Sequence, residues 1–118
     1  MNIERIEHGT LEDGGAIYVY KLTNANGASV TLCNIGAGIV SIVVPDKDGK
    51  MTDVVLGYKD LASYIGDGPC AGKVPGRFSN RICEGKFSID GKEFQLVLNT
   101  GDGKHHLHGG NDGFANQL

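Results

Sequence analysis

The sequence predicts an all-β protein, an antiparallel sandwich or barrel, on three observations. No segment carries a 3.6-residue apolar period of useful length. Short runs rich in β-branched and aromatic residues follow one another, with glycine-bearing turns about every 8–12 residues. Glycine is the compositional outlier, 19 of 118 residues where average usage gives roughly 8, and it is spread along the chain as turn punctuation.

A chain of 118 residues can bury one core, so residues 1–118 are read as a single domain. Apolar residues make up 40% and charged residues 21%, and no apolar run approaches the ~18 residues of a membrane span. The N-terminus lacks a basic start followed by an apolar stretch, so no signal peptide is expected. The net charge is −3 and the 11 basic residues are scattered, which argues against a nucleic-acid surface. Cys33, Cys70 and Cys83 lack the close pairing of a zinc or redox motif and fit buried or partly buried thiols of a reducing, cytoplasmic compartment.

Residues 2–12 allow one short strand. Residues 16–23 and 28–33 read as two strands. Asn24-Ala25-Asn26-Gly27 joins them into a hairpin, with Ala28, Val30 and Leu32 as the expected core face. Residues 39–44 are too continuously apolar for a half-exposed strand and predict burial on both faces. Pro45 ends that strand, Asp46-Lys47-Asp48-Gly49-Lys50 is a polar turn, and residues 53–58 are the returning strand. Residues 59–64 allow one or two helical turns. Residues 66–76, with four glycines and two prolines, form an irregular loop whose Gly72-Lys73 lacks phosphate-loop spacing. In residues 86–96 a two-residue Asp90-Gly91 loop pairs Ile89 with Lys92 and sets Phe87 opposite Phe94.

Two polar clusters flank that hairpin, Gly76-Arg77-Phe78-Ser79-Asn80-Arg81-Ile82 and His105-His106-Leu107-His108-Gly109-Gly110. Because connected strands separate them, they are expected to face one space. Arg81 offers a fixed cationic fork, and Asn80 offers both donor and acceptor, a mixture suited to a hydroxyl-rich ligand. The bland alternative is that Arg77 and Arg81 pair with surface carboxylates. On a strand Asn80 and Arg81 would point to opposite faces, so both reach one ligand only where a strand ends or bulges. His106 and His108 would share a strand face, with His105 on the other. With Asp112 they make a sparse two-histidine, one-carboxylate metal set; otherwise an imidazole donates to a neutral oxygen or acts as acid or base, or the histidines are solvated loop residues. Gly109-Gly110 favours a site, because glycine lets backbone approach a bound group.

Taken in order, Val44-Pro45-Asp46, residues 53–58, Gly76 to Ile82, Gly85-Lys86-Phe87, Asp90-Gly91, and Leu107-His108-Gly109-Gly110 with Gly113-Phe114 resemble the N-terminal part of the aldose 1-epimerases, or galactose mutarotases. The resemblance runs from about Thr31 to Phe114. It implies an antiparallel β-sandwich of the galactose mutarotase-like supersandwich type, here its N-terminal part, and interconversion of the α and β anomers of hexoses such as galactose and glucose without cofactor. Carried over residue by residue, it makes Asn80, Arg81 and His108 substrate-binding, through hydrogen bonds to sugar oxygens. The family's acid–base pair, a later His and a late Glu, would fall beyond Leu118, so no catalytic residue is assigned and the isolated chain is expected to be weak or inactive unless His108 or His106 substitutes; no metal ligand is assigned either.

Two other readings fit the residues. One is a small cupin-type metal-binding barrel using His106, His108 and Asp112. The other is a non-catalytic carbohydrate-binding module. Under the epimerase reading the partner is a small-molecule hexose, with neither nucleic acid nor membrane, and unpaired strand edges favour homo-oligomers.

Overall fold

The computed structural model describes residues 1–12, 14–66 and 69–118. Within them the chain is all-β and antiparallel, as its sequence predicts. Strands β1 (Asn2–Thr10), β2 (Ala16–Thr23), β3 (Ser29–Cys33), β4 (Ile39–Pro45) and β5 (Met51–Asp53) form one five-stranded sheet in that order. β6 (Arg81–Cys83) pairs with β9 (His105–Leu107), and β7 (Lys86–Ile89) pairs with β8 (Lys92–Gln95). Among the described residues helix is limited to three short 3₁₀ turns, and none is long and apolar enough to cross a membrane.

Local chemistry accounts for the turns. Between β2 and β3 the Asn24 side chain accepts from the amides of Asn26 (2.9 Å) and Ala28 (3.0 Å), so one carboxamide replaces the backbone bonds that the bend cannot make. Asp46 does the same after β4, accepting from Asp48 and Lys50, both at 2.9 Å. Asp60 caps the turn Leu61–Tyr64 by accepting from the Ser63 amide at 3.0 Å. At the β7–β8 corner Asp90 and Gly91 both take positive φ, 51° and 78°, as a two-residue hairpin of this hand demands.

Several expectations need correction. The N-terminal strand is not short: β1 runs nine residues. Residues 53–58 do not form the returning strand, which is Met51–Asp53. The Asp53 carboxylate accepts from the Ile42 amide at 3.0 Å and from the Val55 amide at 3.1 Å, so after one last backbone bond, from the Val54 amide to the Ile42 carbonyl (2.9 Å), a side chain holds the donors that would carry the ladder on. Nor is Ala28, Val30 and Leu32 the buried face of β3. These are half-buried, whereas Cys33 is 2% exposed, because it stands opposite Val19 in the core. The apolar run 39–44 is internal to the sheet, between β3 and β5, yet each residue is half-buried.

The core cluster is small: Ile17, Val19, Cys33, Ile35 and Tyr64. Tyr64 is fully buried and meets Tyr58 edge-on at 5.0 Å between ring centres. The radius of gyration is 17.7 Å, against about 13–14 Å for a compact domain of this length. A long edge strand and half-covered sheet faces produce that excess. The loop beyond residue 69 is pinned in place: the Ile39 amide donates to the Gly72 carbonyl (2.9 Å) and the Val74 amide to the Gly36 carbonyl (2.9 Å). Lys73, whose spacing with Gly72 fails the phosphate-loop pattern, is buried and donates to the Tyr64 carbonyl at 2.7 Å.

Candidate functional site

The site is built on the β6–β9 ladder, where Arg81 faces Leu107, Ile82 faces His106 and Cys83 faces His105. An imidazole clamps each end of this short ladder. The Asn80 amide donates to His108 Nδ1 at 3.0 Å, and the Glu84 amide donates to His105 Nδ1 at 3.1 Å. Asn80 and His108 both adopt left-handed backbone, φ 69° and 53°, a conformation that Asn and His tolerate better than most residues. The strands therefore end there, which is the condition under which Asn80 and Arg81 can serve one ligand. The Asn80 Oδ1 accepts from the Arg81 amide at 2.9 Å and lies 3.5 Å from Arg81 Nη1.

All three sequence-predicted residues thus meet at one junction, although Arg81 and His108 line different spaces and Asn80 lines neither of them. Arg81 lines a groove of about 760 Å³ with Arg77, Phe87, His106, Asp112 and Phe114. His108 lines an adjoining cleft of about 480 Å³ with Asn99 and Asn111. Glycine makes the junction tight. Gly109 has φ 89°, and a Cβ there would collide with the Gly76 carbonyl. The Phe114 amide donates to that same carbonyl at 3.2 Å, and the Phe114 ring carries the Arg77 guanidinium 5.1 Å from its centre.

Neither arginine is consumed by a carboxylate: among the described residues the ion pair found is Lys47–Asp48, on the exposed β4–β5 turn. The Arg81 fork is therefore open to ligand oxygens, and beside it the Asn80 Oδ1 and His108 Nδ1 are engaged within the junction, which leaves Asn80 Nδ2 and His108 Nε2 as the remaining side-chain donors. Because His108 Nδ1 accepts a backbone proton, the neutral ring carries its own proton on Nε2. That nitrogen has no protein partner among the described residues, and it is a donor.

The metal set of His106, His108 and Asp112 is not assembled. No group of three His, Cys, Asp or Glu side chains among the described residues could hold an ion. β9 ends at Leu107, so His108 leaves the strand and does not share a face with His106. His106 is 4% exposed, with Nδ1 2.9 Å from the Val97 carbonyl; a carbonyl only accepts, so Nδ1 carries the proton. Sequence reasoning missed the clamp made by His105 and the part played by Asn99, whose side chain accepts from the Leu107 amide (2.7 Å) and donates to its carbonyl (2.9 Å). Asn99 imitates a strand neighbour for β9, and its position two residues before a glycine turn carries no signal of that.

Fold and site together define an all-β, antiparallel protein with a hydrogen-bonding junction suited to an oxygen-rich ligand. The chain belongs to the aldose 1-epimerase family: the family model described as aldose 1-epimerase matches residues 18–117. It is 36% identical to the galactose mutarotase of Rattus norvegicus over 118 residues, all of this chain and 34% of that protein. It is 32% identical to the aldose 1-epimerase of Escherichia coli K12 over 102 residues, 86% of this chain and 29% of that one. Among solved structures, an aldose epimerase homologue from C. elegans aligns with a TM-score of 0.73 at 35% identity, over 82% of this chain and 29% of that one. The galactose 1-epimerase of Lactobacillus acidophilus aligns at 0.82 over 99% of this chain and 32% of that one; at 24% identity this is likeness of fold. The chain spans about a third of the length of the curated relatives it matches.

Proposed function

We propose that this chain is a mutarotase-like, hexose-binding protein in which Asn80, Arg81 and His108 hydrogen-bond the oxygens of a pyranose ring. The observation that carries the reading is the reciprocal bonding of Asn80 and His108 beside Arg81, in a chain of the aldose 1-epimerase family. Each sugar hydroxyl both gives and takes a hydrogen bond. His108 Nε2 and the Arg81 guanidinium supply donors to ring and hydroxyl oxygens, and the Asn80 carboxamide supplies a further donor. Charge-assisted bonds of the Arg81 kind are worth about 1.5–3 kcal/mol each.

Anomer exchange asks for more than binding. Opening the ring needs a proton removed from the anomeric hydroxyl and another delivered to the ring oxygen, each step worth roughly 10²–10⁴-fold when a side chain is positioned for it. The three residues gathered here are donors that fix a pose. The 118-residue chain is therefore expected to bind hexose and to exchange anomers weakly or not at all by itself. Cys33 is buried as expected, whereas Cys83 is exposed, and neither is in a disulfide, which fits a cytoplasmic setting.

Polarimetry of freshly dissolved α-D-galactose and α-D-glucose, with calorimetry on the same samples, tests this reading. Hexose binding that Arg81→Ala and His108→Ala both weaken, without faster mutarotation, is the expected result. Absence of any hexose binding, or binding untouched by both substitutions, overturns the assigned site. Accelerated mutarotation abolished by either variant would instead give the chain its own acid or base.

A further inference from the structure

β1 is the outermost strand of the five-stranded sheet. β2 pairs with one of its edges and, among the described residues, no strand pairs with the other. It is nine residues long and exposed along its whole length. It carries neither the proline nor the lysine that commonly blunts a free edge, and its one irregularity, a register shift at His8 between Glu7 and Gly9, leaves residues 2–7 regular.

What β1 does carry is a charge sequence that is its own antiparallel complement, Arg5-Ile6-Glu7. Laying a second copy of the strand antiparallel, with Ile6 opposite Ile6, sets Arg5 opposite Glu7 twice by symmetry, within the part of β1 whose register is regular. Moving the two-fold axis one residue either way puts Arg5 on Arg5 or Glu7 on Glu7, so the charges select a single register. The two faces agree with it. Arg5 and Glu7 share one face, with the Arg5 guanidinium held 4.8 Å above the Tyr18 ring. Ile6 lies on the other, in register with Val19, which in turn faces Cys33. Val19 and Cys33 are buried at 6% and 2% exposure, whereas Ile6, next in that row, is 47% exposed. Pairing across the two-fold would continue the row through two isoleucines and cover its open end.

We propose that the outer edge of β1 is a homodimerisation surface, joining two copies of this chain into one continuous ten-stranded antiparallel sheet centred on Ile6. The interface is isologous, as a two-fold axis requires. It is independent of the sugar-site reading, since β1 contributes nothing to the β6–β9 junction.

Sedimentation equilibrium of the 118-residue chain from about 10 μM to 1 mM, the range that small interfaces occupy, is expected to show a monomer–dimer equilibrium that added salt weakens. Arg5→Glu sets a carboxylate against Glu7 of the second copy, and Glu7→Arg sets a guanidinium against Arg5 of the second copy. Each variant alone is therefore expected to dimerise about tenfold more weakly. An equimolar mixture of the two pairs opposite charges at both positions and is expected to recover dimer. So is the chain carrying both reversals, which also shows that the substitutions leave it folded. A chain monomeric throughout the range overturns the proposal. So do single variants that dimerise as well as the parent, which would place the contact elsewhere, for instance on the half-buried face around Val30 and Ile42, and so does a mixture no more dimeric than its components.

Discussion

Asn80 and His108 are tied to each other twice. The Asn80 amide donates to His108 Nδ1 at 3.0 Å, and the His108 amide donates to the Asn80 carbonyl at 3.1 Å. Two residues 28 apart in sequence thereby set each other's backbone, and the imidazole is left with one tautomer when neutral. The functional consequence lies in Nε2: its proton is fixed as a donor.

If that donor contacts hexose, its removal and its replacement should differ. His108→Ala is expected to weaken galactose binding by about tenfold, the worth of one neutral hydrogen bond of roughly 1–1.5 kcal/mol, and to loosen Asn80 as well. Arg81→Ala removes charge-assisted bonds and is expected to cost about ten- to a hundredfold. Calorimetric titration of both variants checks this. Equal affinity in parent and Arg81→Ala would remove Arg81 from the site.

Gly109 is expected to tolerate no side chain. It holds φ 89° against the Gly76 carbonyl, and the obstacle is backbone, which cannot swing aside. Gly109→Ala combines left-handed strain of about 1–2 kcal/mol with displacement of the Gly76 loop. A loss of at least about 2 kcal/mol is expected in denaturant unfolding, with perturbed amide signals at Gly76 and Phe114. Gly91→Ala is the control, since its φ of 78° adds the strain while open space surrounds it. A Gly109→Ala chain no less stable than that control would show that the close approach is relieved cheaply.

Contacts of short range were legible in the sequence, and contacts between distant segments were legible only where a hairpin joins them. The Asp90-Gly91 corner fixes its own register, so the pairing of Phe87 with Phe94 follows from four adjacent residues. The meeting of Asn80, Arg81 and His108 was legible because strands connected by that hairpin bring their far ends together. The roles of the three histidines depended on where β9 stops. One residue beyond Leu107 the chain turns left-handed, which separates His108 from His106 and removes the metal geometry that a longer strand would have kept. The truncation of β5 at Asp53 was hidden for a related reason: a carboxylate that accepts ladder amides looks, in sequence, like any residue at a strand end.

The Phe87–Phe94 pair gives a prediction about stability, on a hairpin whose Phe87 also lines the Arg81 groove. The rings stack with centroids 5.2 Å apart and planes 13° from parallel, and Lys92 Nζ lies 5.3 Å from the Phe94 ring centre. A double-mutant cycle over Phe87→Leu and Phe94→Leu is expected to return a coupling of about 0.5–1 kcal/mol. Additive losses would mean that the rings act only through the area each buries.

The loop that delivers β9 should respond to acid through Asp102. Its carboxylate accepts from the Thr100 hydroxyl at 2.6 Å and from the Lys104 amide at 3.1 Å. The first of these bonds is the main cause holding its pKa below the ordinary 3.8, with the Lys104 bond next and the neighbouring His105 adding to them. A carboxyl with a lowered folded pKa contributes its stabilisation above the unfolded value, and that contribution is lost as pH falls through the folded value. The loop is therefore expected to hold at neutral pH and to loosen only below the pH at which a free aspartate protonates. Thr100 also accepts from the His105 amide at 3.0 Å, so loosening should reach the Glu84–His105 clamp before it reaches Asn80 and His108. Carbon-detected titration of Asp102, followed beside the Lys104 and Glu84 amide shifts, tests the order. Asp102→Asn should remove this acid response in Lys104. An Asp102 midpoint at or above 3.8, or a Glu84 amide indifferent to the titration, would break the link between the loop and the clamp.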